Sequence, residues 1–129
     1  MKIKGKTFLV TGGAGFIGSY LVKELLQHDV KKVIIYDNFL RGNLSNLSSV
    51  IDDKRLHINE TGGDITNYDI LDHSLKNVDG VFHFAALWLM QCHEFPESAF
   101  NVNVVGSFNV IRACLKNKIK KLVISSSAS

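Results

Sequence analysis

Residues that staple, break or anchor a fold are scarce in this chain. It has one proline, Pro96, and two cysteines, Cys92 and Cys114, in 129 residues. Two cysteines at that spacing form neither a metal motif nor a redox motif, so free thiols in a reducing cytoplasm are expected. The five histidines are scattered without ligand-like grouping, and no metal site is expected. His83 lies in an apolar run and reads as a packed side chain. No apolar stretch is long enough to cross a bilayer. An apolar run begins so early that no room for a secretory leader is expected. The net charge is only +3. Lysines at 2, 4, 6, 116, 118, 120 and 121 sit near both ends with no interleaved aromatics, a pattern of solvated faces and not of a nucleic-acid surface. No linker, repeat or low-complexity segment is visible. The 46% hydrophobic content suffices for one core and no more.

The glycines, in contrast, are concentrated where they carry information. Residues 11–18 read Thr-Gly-Gly-Ala-Gly-Phe-Ile-Gly. They lie between the apolar run Thr7-Phe8-Leu9-Val10 and a helical pattern with Ile17, Leu21 and Leu25 on one face. A strand, then GxGxxG, then a helix is the fingerprint of a dinucleotide-binding βαβ unit. Gly13 is expected to permit the tight turn. Gly15 is expected to let backbone approach a pyrophosphate, and Gly18 to let the helix lie close to the strand. The helix N-terminus would then offer N–H groups and partial positive charge to the phosphates.

A second strand should end in an acidic residue, and Lys32-Val33-Ile34-Ile35-Tyr36 is followed by Asp37. A carboxylate there accepts two ribose hydroxyls and repels a 2′-phosphate, so NAD is expected over NADP. Arg41 nearby is a candidate cofactor contact or a solvated loop cation.

Alternating patterns continue to the end of the chain. Strands are expected at about residues 7–11, 32–37, 55–59, 80–84 and 121–125. Helices are expected at about 16–28, 67–75 and 96–117, with Thr66 as the N-cap of the second and Pro96 in the first turn of the third. Right-handed crossovers order the strands 3-2-1-4-5. The expected fold class is α/β, a Rossmann-type doubly wound parallel sheet over residues 1–129, truncated after the fifth strand. Its ligand crevice lies at the carboxyl ends of the strands.

In order along the chain stand TGGAGFIGS, YDN, GGDI, HFAA, NVVGSFNV and VISSSAS. On these motifs the chain resembles the extended short-chain dehydrogenase/reductase family, and within it the NAD-dependent nucleotide-sugar epimerases and dehydratases. The TGxxGxxG form (Gly12, Gly15, Gly18) is characteristic of that family. The resemblance implies NAD as cofactor, with contacts from the glycine motif including Phe16 and Ile17, and from Asp37 and Asn38. It implies that the Asp64 carboxylate takes the adenine amino group while Ile65 covers the ring. Phe84, Ala85 and Ala86 would let the cofactor lie against backbone. Asn103 matches a helix Asn with a structural or ligand role. Where many members carry a Lys that reaches the cofactor, this chain has Trp88. Ser127 matches the catalytic Ser/Thr that would hydrogen-bond the reacting sugar hydroxyl or keto oxygen.

The family's general base is the Tyr of a YxxxK motif downstream of that serine, and no YxxxK occurs in these 129 residues. The tyrosines are Tyr20, Tyr36 and Tyr68. The chain is therefore expected to be an N-terminal fragment, a truncated product or one part of a split enzyme. Its domain is expected to be incomplete, with the later strands and the substrate domain absent. The parent activity implied is epimerisation or dehydration of a nucleotide sugar. The alternative for this chain alone is a non-catalytic dinucleotide-binding or assembly module. On the third helix, Phe100, Val104, Phe108, Ile111 and Leu115 form one apolar stripe, while Ala99, Val102, Gly106, Val110 and Ala113 form a second of smaller residues. One can cover the sheet and the other needs a partner, so a homodimer or larger assembly is expected.

Overall fold

A computed structural model describes residues 2–126. Five strands form one all-parallel sheet: β1 (Thr7–Thr11), β2 (Lys32–Tyr36), β3 (Leu56–Ile58), β4 (Gly80–His83) and β5 (Lys121–Ile124). Their order is β3-β2-β1-β4-β5, as the sequence predicts. β1 is central and wholly buried, with Val10 level with Ile35 of β2 and Phe82 of β4.

Side chains alternate across the sheet and feed two cores. Phe8, Val10, Val33 and Ile35 pack under α1 (Phe16–Gln27) with Val22, Leu25 and Leu26. Leu9, Tyr36 and Val81 point the other way. There they meet α2 (Tyr68–Ser74) and α5 (Ser107–Lys116) through Leu71, Leu75, Val110 and Ala113. Each fully buried Leu, Val or Phe contributes about 1.5–3 kcal/mol, which makes this double-sided burial the main force fixing β1 at the centre.

Several local expectations are corrected. The N-cap of α2 is Asn67, whose side chain accepts from the Ile70 N–H, and not Thr66. Thr66 is occupied one residue earlier, where its hydroxyl donates to Asp64 Oδ1 at 2.7 Å. A helix that the sequence pattern did not announce, α3 (Leu89–Glu94), precedes the proline. The expected single helix from residue 96 is instead α4 (Pro96–Ala99), a π-helical stretch (Phe100–Gly106) and α5. A wider π turn advances the side-chain phase, which straight 3.6-residue periodicity cannot anticipate. The loop after β2 contains a 3₁₀ turn, Leu44–Leu47, that anchors the buried Leu47.

Candidate functional site

β1 delivers the glycine loop to the crevice, and each glycine there answers to a different constraint. The turn is made at Gly12, with φ +67°, and not at Gly13. A Cβ at Gly12 would lie 2.8 Å from the Ala85 nitrogen, so the loop abuts the exit of β4. Gly13 is constrained by packing, since its Cβ would lie 2.9 Å from Ile35 Cδ1. At Gly18 a Cβ would overlap the Gly12 carbonyl oxygen, which seats α1 directly on the loop. Gly15 differs from these three. Its backbone is extended (φ −74°), and a Cβ would meet only the Gly12 oxygen, at 3.2 Å. The chain's own atoms therefore demand little of position 15, and the space before it is open. Gly15 is also the N-cap of α1. No side chain caps the helix, and no acidic residue lies in its first turn. Phe16 and Ile17, which open that turn, are exposed. Such an end favours an anion.

Asp37 sits beside this loop, at the end of β2, and is buried. Its Oδ2 accepts from the Ala14 N–H at 2.9 Å, and its Oδ1 accepts from the Phe39 N–H at 2.9 Å. Phe39 adopts a left-handed conformation to make that turn (φ 57°). Two glycines pack against Asp37, Gly42 on its carboxylate and Gly63 on its backbone. A Cβ at Gly42 would lie 2.7 Å from Asp37 Oδ1, and one at Gly63 would overlap the Asp37 backbone. Gly42 and Gly63 thus belong to the site's construction. Sequence reasoning assigned neither a role, although Gly63 stands in the GGDI motif.

Asp37, Asn38 and Phe39 line one side of a cleft of about 400 Å³, and Asn59, Glu60, Gly63, Asp64 and Asn67 line the other. Asn38 is exposed and accepts from the Leu40 N–H at 3.0 Å. Asp64 Oδ1 is held by the Thr66 N–H and hydroxyl at 2.8 and 2.7 Å. Its carboxylate therefore caps a turn while bordering the cleft. Ile65 does not present its side chain to the cleft as expected. It is 2% exposed and packs where a Cβ on Gly106 would come within 2.7 Å of it. The Gly63-Asp64-Ile65 turn buries the apolar member against the helix and leaves only the acid outside.

At the exit of β4 a chain of buried polar groups organises the backbone. Thr11 Oγ1 accepts from the Phe84 and Ala85 N–H groups at 3.1 and 3.2 Å and pairs with His83 Nδ1 at 2.6 Å. His83 Nε2 in turn meets Ser107 Oγ at 2.9 Å. Burial pushes the His83 pKa down to about 4, so the ring is neutral. A neutral ring fits one arrangement, in which Thr11 donates to Nδ1 and Nε2–H donates to Ser107. His83 is thus a packed residue, as read from sequence, and Phe84 and Ala85 are tied to β1 through Thr11. Sequence reasoning missed Thr11, although it opens the glycine motif.

Asn103 acts as a brace. Its Oδ1 accepts from the Leu87 N–H at 2.8 Å and its Nδ2 donates to the Leu87 oxygen at 3.0 Å. The Arg41 guanidinium stacks on Trp88, 4.8 Å from the ring centre. Ser127 lies outside the described residues. No group of three or more His, Cys, Asp or Glu able to hold a metal ion occurs among the described residues. None of their helices is long and apolar enough to cross a membrane.

A glycine loop seated on an uncapped helix, beside a buried acid at the end of β2, has counterparts in known proteins. A UDP-glucose 4-epimerase of Rickettsia bellii is 35% identical over 127 residues, covering 94% of this chain and 36% of that protein. The chain thus spans about a third of the length of such curated relatives. A UDP-N-acetylglucosamine 4-epimerase from Methanobrevibacter ruminantium, solved with UDP-N-acetylmuramic acid, superposes with a TM-score of 0.87 at 38% identity, covering 97% of this chain and 39% of that one. A dTDP-glucose 4,6-dehydratase from Streptomyces venezuelae, solved with NAD bound, gives 0.83 at 32% identity, with 90% and 38% covered. The five-stranded sheet corresponds to the N-terminal portions of the epimerases. The expected kinship with short-chain dehydrogenase/reductase epimerases and dehydratases is borne out. The sequence profile of one family matches residues 9–129, and on that match the chain belongs to the 3-beta hydroxysteroid dehydrogenase/isomerase family.

Proposed function

We propose that residues 1–129 form a dinucleotide-binding domain that holds NAD, as the cofactor-binding part of a nucleotide-sugar epimerase or dehydratase. The observation that carries this reading is Asp37. Each of its oxygens accepts one backbone N–H, and each keeps a lone pair for a ribose hydroxyl at the cleft. A 2′-phosphate placed there would meet the carboxylate's charge. Gly15 supports the same reading, because the fold asks little of it while a pyrophosphate at backbone distance would exclude any side chain. The Gly12–Gly18 loop binds the diphosphate, with the Phe16 and Ile17 N–H groups at the helix end. Asn38 and Asp64 border the adenosine half. Phe84, Ala85 and Ala86 form the floor beyond it, steadied by Asn103. NAD, when bound, supplies the hydride acceptor for a sugar hydroxyl. Calorimetric titration tests the reading: NAD should bind at least about 1 kcal/mol more tightly than NADP. Equal or tighter NADP binding would overturn it.

A second reading concerns this chain by itself, as a dinucleotide-binding or assembly module without turnover. The tyrosines favour it. Tyr36 is buried, donates to the Asp64 carbonyl at 3.0 Å, and has its pKa raised to about 12 by burial and by Asp64. Tyr20 stacks edge-on with Phe16, and Tyr68 lies under Arg112. None is placed as a base at the crevice. The isolated chain should yield no epimerised or dehydrated product from UDP-, GDP- or dTDP-sugars above a Gly15→Trp control. Product above that control would refute this reading.

Self-assembly is part of the proposal. The small-residue stripe faces inward, with Val110 and Ala113 buried, while Phe100 and Phe108 are each 58% exposed and Leu115 is 74% exposed. Exposed aromatic side chains along one helix face support a homodimer that buries them. Reducing intracellular conditions suit the two free cysteines.

A further inference from the structure

We propose that Arg41, stacked on Trp88, is a diphosphate-binding residue: the pair spans the glycine loop and presents the guanidinium to the pyrophosphate of the bound dinucleotide. The inference rests on the reading that this domain binds NAD, and it assigns a second source of positive charge beside the helix end.

Topology places the pair over the loop. β2 and β4 flank β1 in the sheet. Arg41 stands on the loop after β2 and Trp88 on the segment after β4. Their contact at 4.8 Å therefore crosses the carboxyl end of β1, where Gly12–Gly15 lies. Both limbs are fastened to the loop they cross. The Asn43 N–H and Asn46 Nδ2 donate to the Ala14 carbonyl at 3.1 and 2.8 Å. On the other side Gly12 abuts Ala85.

The guanidinium also has donors to spare. Lys6, Arg55 and Lys116, at the opposite end of the sheet, are paired with Asp79, Asp53 and Asp72. Arg41 makes no hydrogen bond or ion pair among the described residues, and it is exposed. A guanidinium held over an aromatic ring by cation–π attraction keeps its N–H donors available for an anion. An arginine held by an indole has also lost part of its rotamer freedom in advance, so less is lost when it takes an anion.

Two phosphates compete for such a cation. A guanidinium near Asp37 could instead read the 2′-phosphate of NADP. The cleft at Asp37 and Asp64 is lined by Asn38 and Phe39 but not by Arg41. The contact with Trp88, on the segment after β4, sets the guanidinium toward the β4 side of the crevice.

The test uses the full chain, with calorimetry on adenosine, ADP, NAD and NADP. Trp88 is the sole tryptophan, so its emission reports the same site. Arg41→Ala should weaken ADP and NAD by roughly tenfold and leave adenosine unchanged. It should also abolish most of the emission change that ADP causes. Trp88→Leu should reproduce the ADP loss, and Trp88→Phe should restore most of it. Unchanged ADP and NAD affinity in Arg41→Ala, in a wild type that binds both, overturns this proposal alone. A loss confined to NADP overturns it in favour of 2′-phosphate recognition. Equal losses for adenosine and ADP overturn it as a general loop defect. A wild type that binds none of the four defeats the NAD reading and this proposal with it.

Discussion

His83 should make stability fall with pH in a window that no carboxylate can account for. It is 2% exposed and held between Thr11 and Ser107. Its pKa is pushed to about 4 by burial, from an ordinary value of 6.5. As pH drops below 6.5 the unfolded chain takes up a proton that the folded chain refuses until about pH 4. The unfolded state then binds more protons, so stability is full above that window and declines through it. At ~1.4 kcal/mol per pH unit the whole effect is about 3 kcal/mol, of which ~2 kcal/mol falls between about pH 6.5 and about pH 4.5. Asp53, Asp72 and Asp79 have carboxyls held low chiefly by bonds from Arg55, Lys116 and Thr7. Their contributions persist above the ordinary carboxylate value and fade only below it, outside the window. Urea unfolding of wild type and His83→Phe across this range measures the effect. The wild-type curve should fall about 2 kcal/mol further than the variant's. Parallel curves would refute the reasoning. Titration of the His83 ring by NMR tests the same shift without a variant, and a midpoint near 6.5 would sink it.

The glycine loop should separate positions required by the fold from one required by a ligand. Gly18→Ala forces a Cβ into the Gly12 carbonyl, and thermal melting should show a loss of about 2 kcal/mol or more. Gly15→Ala should cost under ~1 kcal/mol in the same assay yet abolish NAD binding. A large stability loss at Gly15 would contradict the distinction. Phe108→Glu places a charge in the exposed stripe. Light scattering should give at least twice the monomer mass for wild type and a lower mass for the variant; an unchanged mass removes Phe108 from the interface.

What was legible in the sequence followed from unambiguous physics. The apolar runs of β1 and β2 can be satisfied only by burial on both faces, and a parallel sheet with helices on each side does that. The acid at position 37 and the glycines at 12, 15 and 18 were visible because their spacing is rigid. The rest depended on distances between residues far apart in the chain. Thr11, His83 and Ser107 converge across two strands and a helix, and no local pattern reports that. The π stretch at Phe100–Gly106 interrupts the helix in a way that 3.6-residue periodicity does not report. The tight turn expected at Gly13 falls at Gly12, which has a positive φ and also lies against the Ala85 backbone, a neighbour far along the chain that no local pattern reports. Ile65 was buried because Gly106 opens a space for it beneath the helix.

The central claim is that NAD binds over the glycine loop with Asp37 at its adenosine ribose. Amide NMR during an NAD titration addresses this directly. The largest shifts should appear at Ala14, Gly15, Phe16, Ile17 and Phe39, whose N–H groups flank the proposed diphosphate and the Asp37 carboxylate, and an Asp37→Ala variant should need markedly more NAD to reach them. Shifts centred elsewhere, as around Pro96 and Phe100, or no saturable shifts at all, would contradict it.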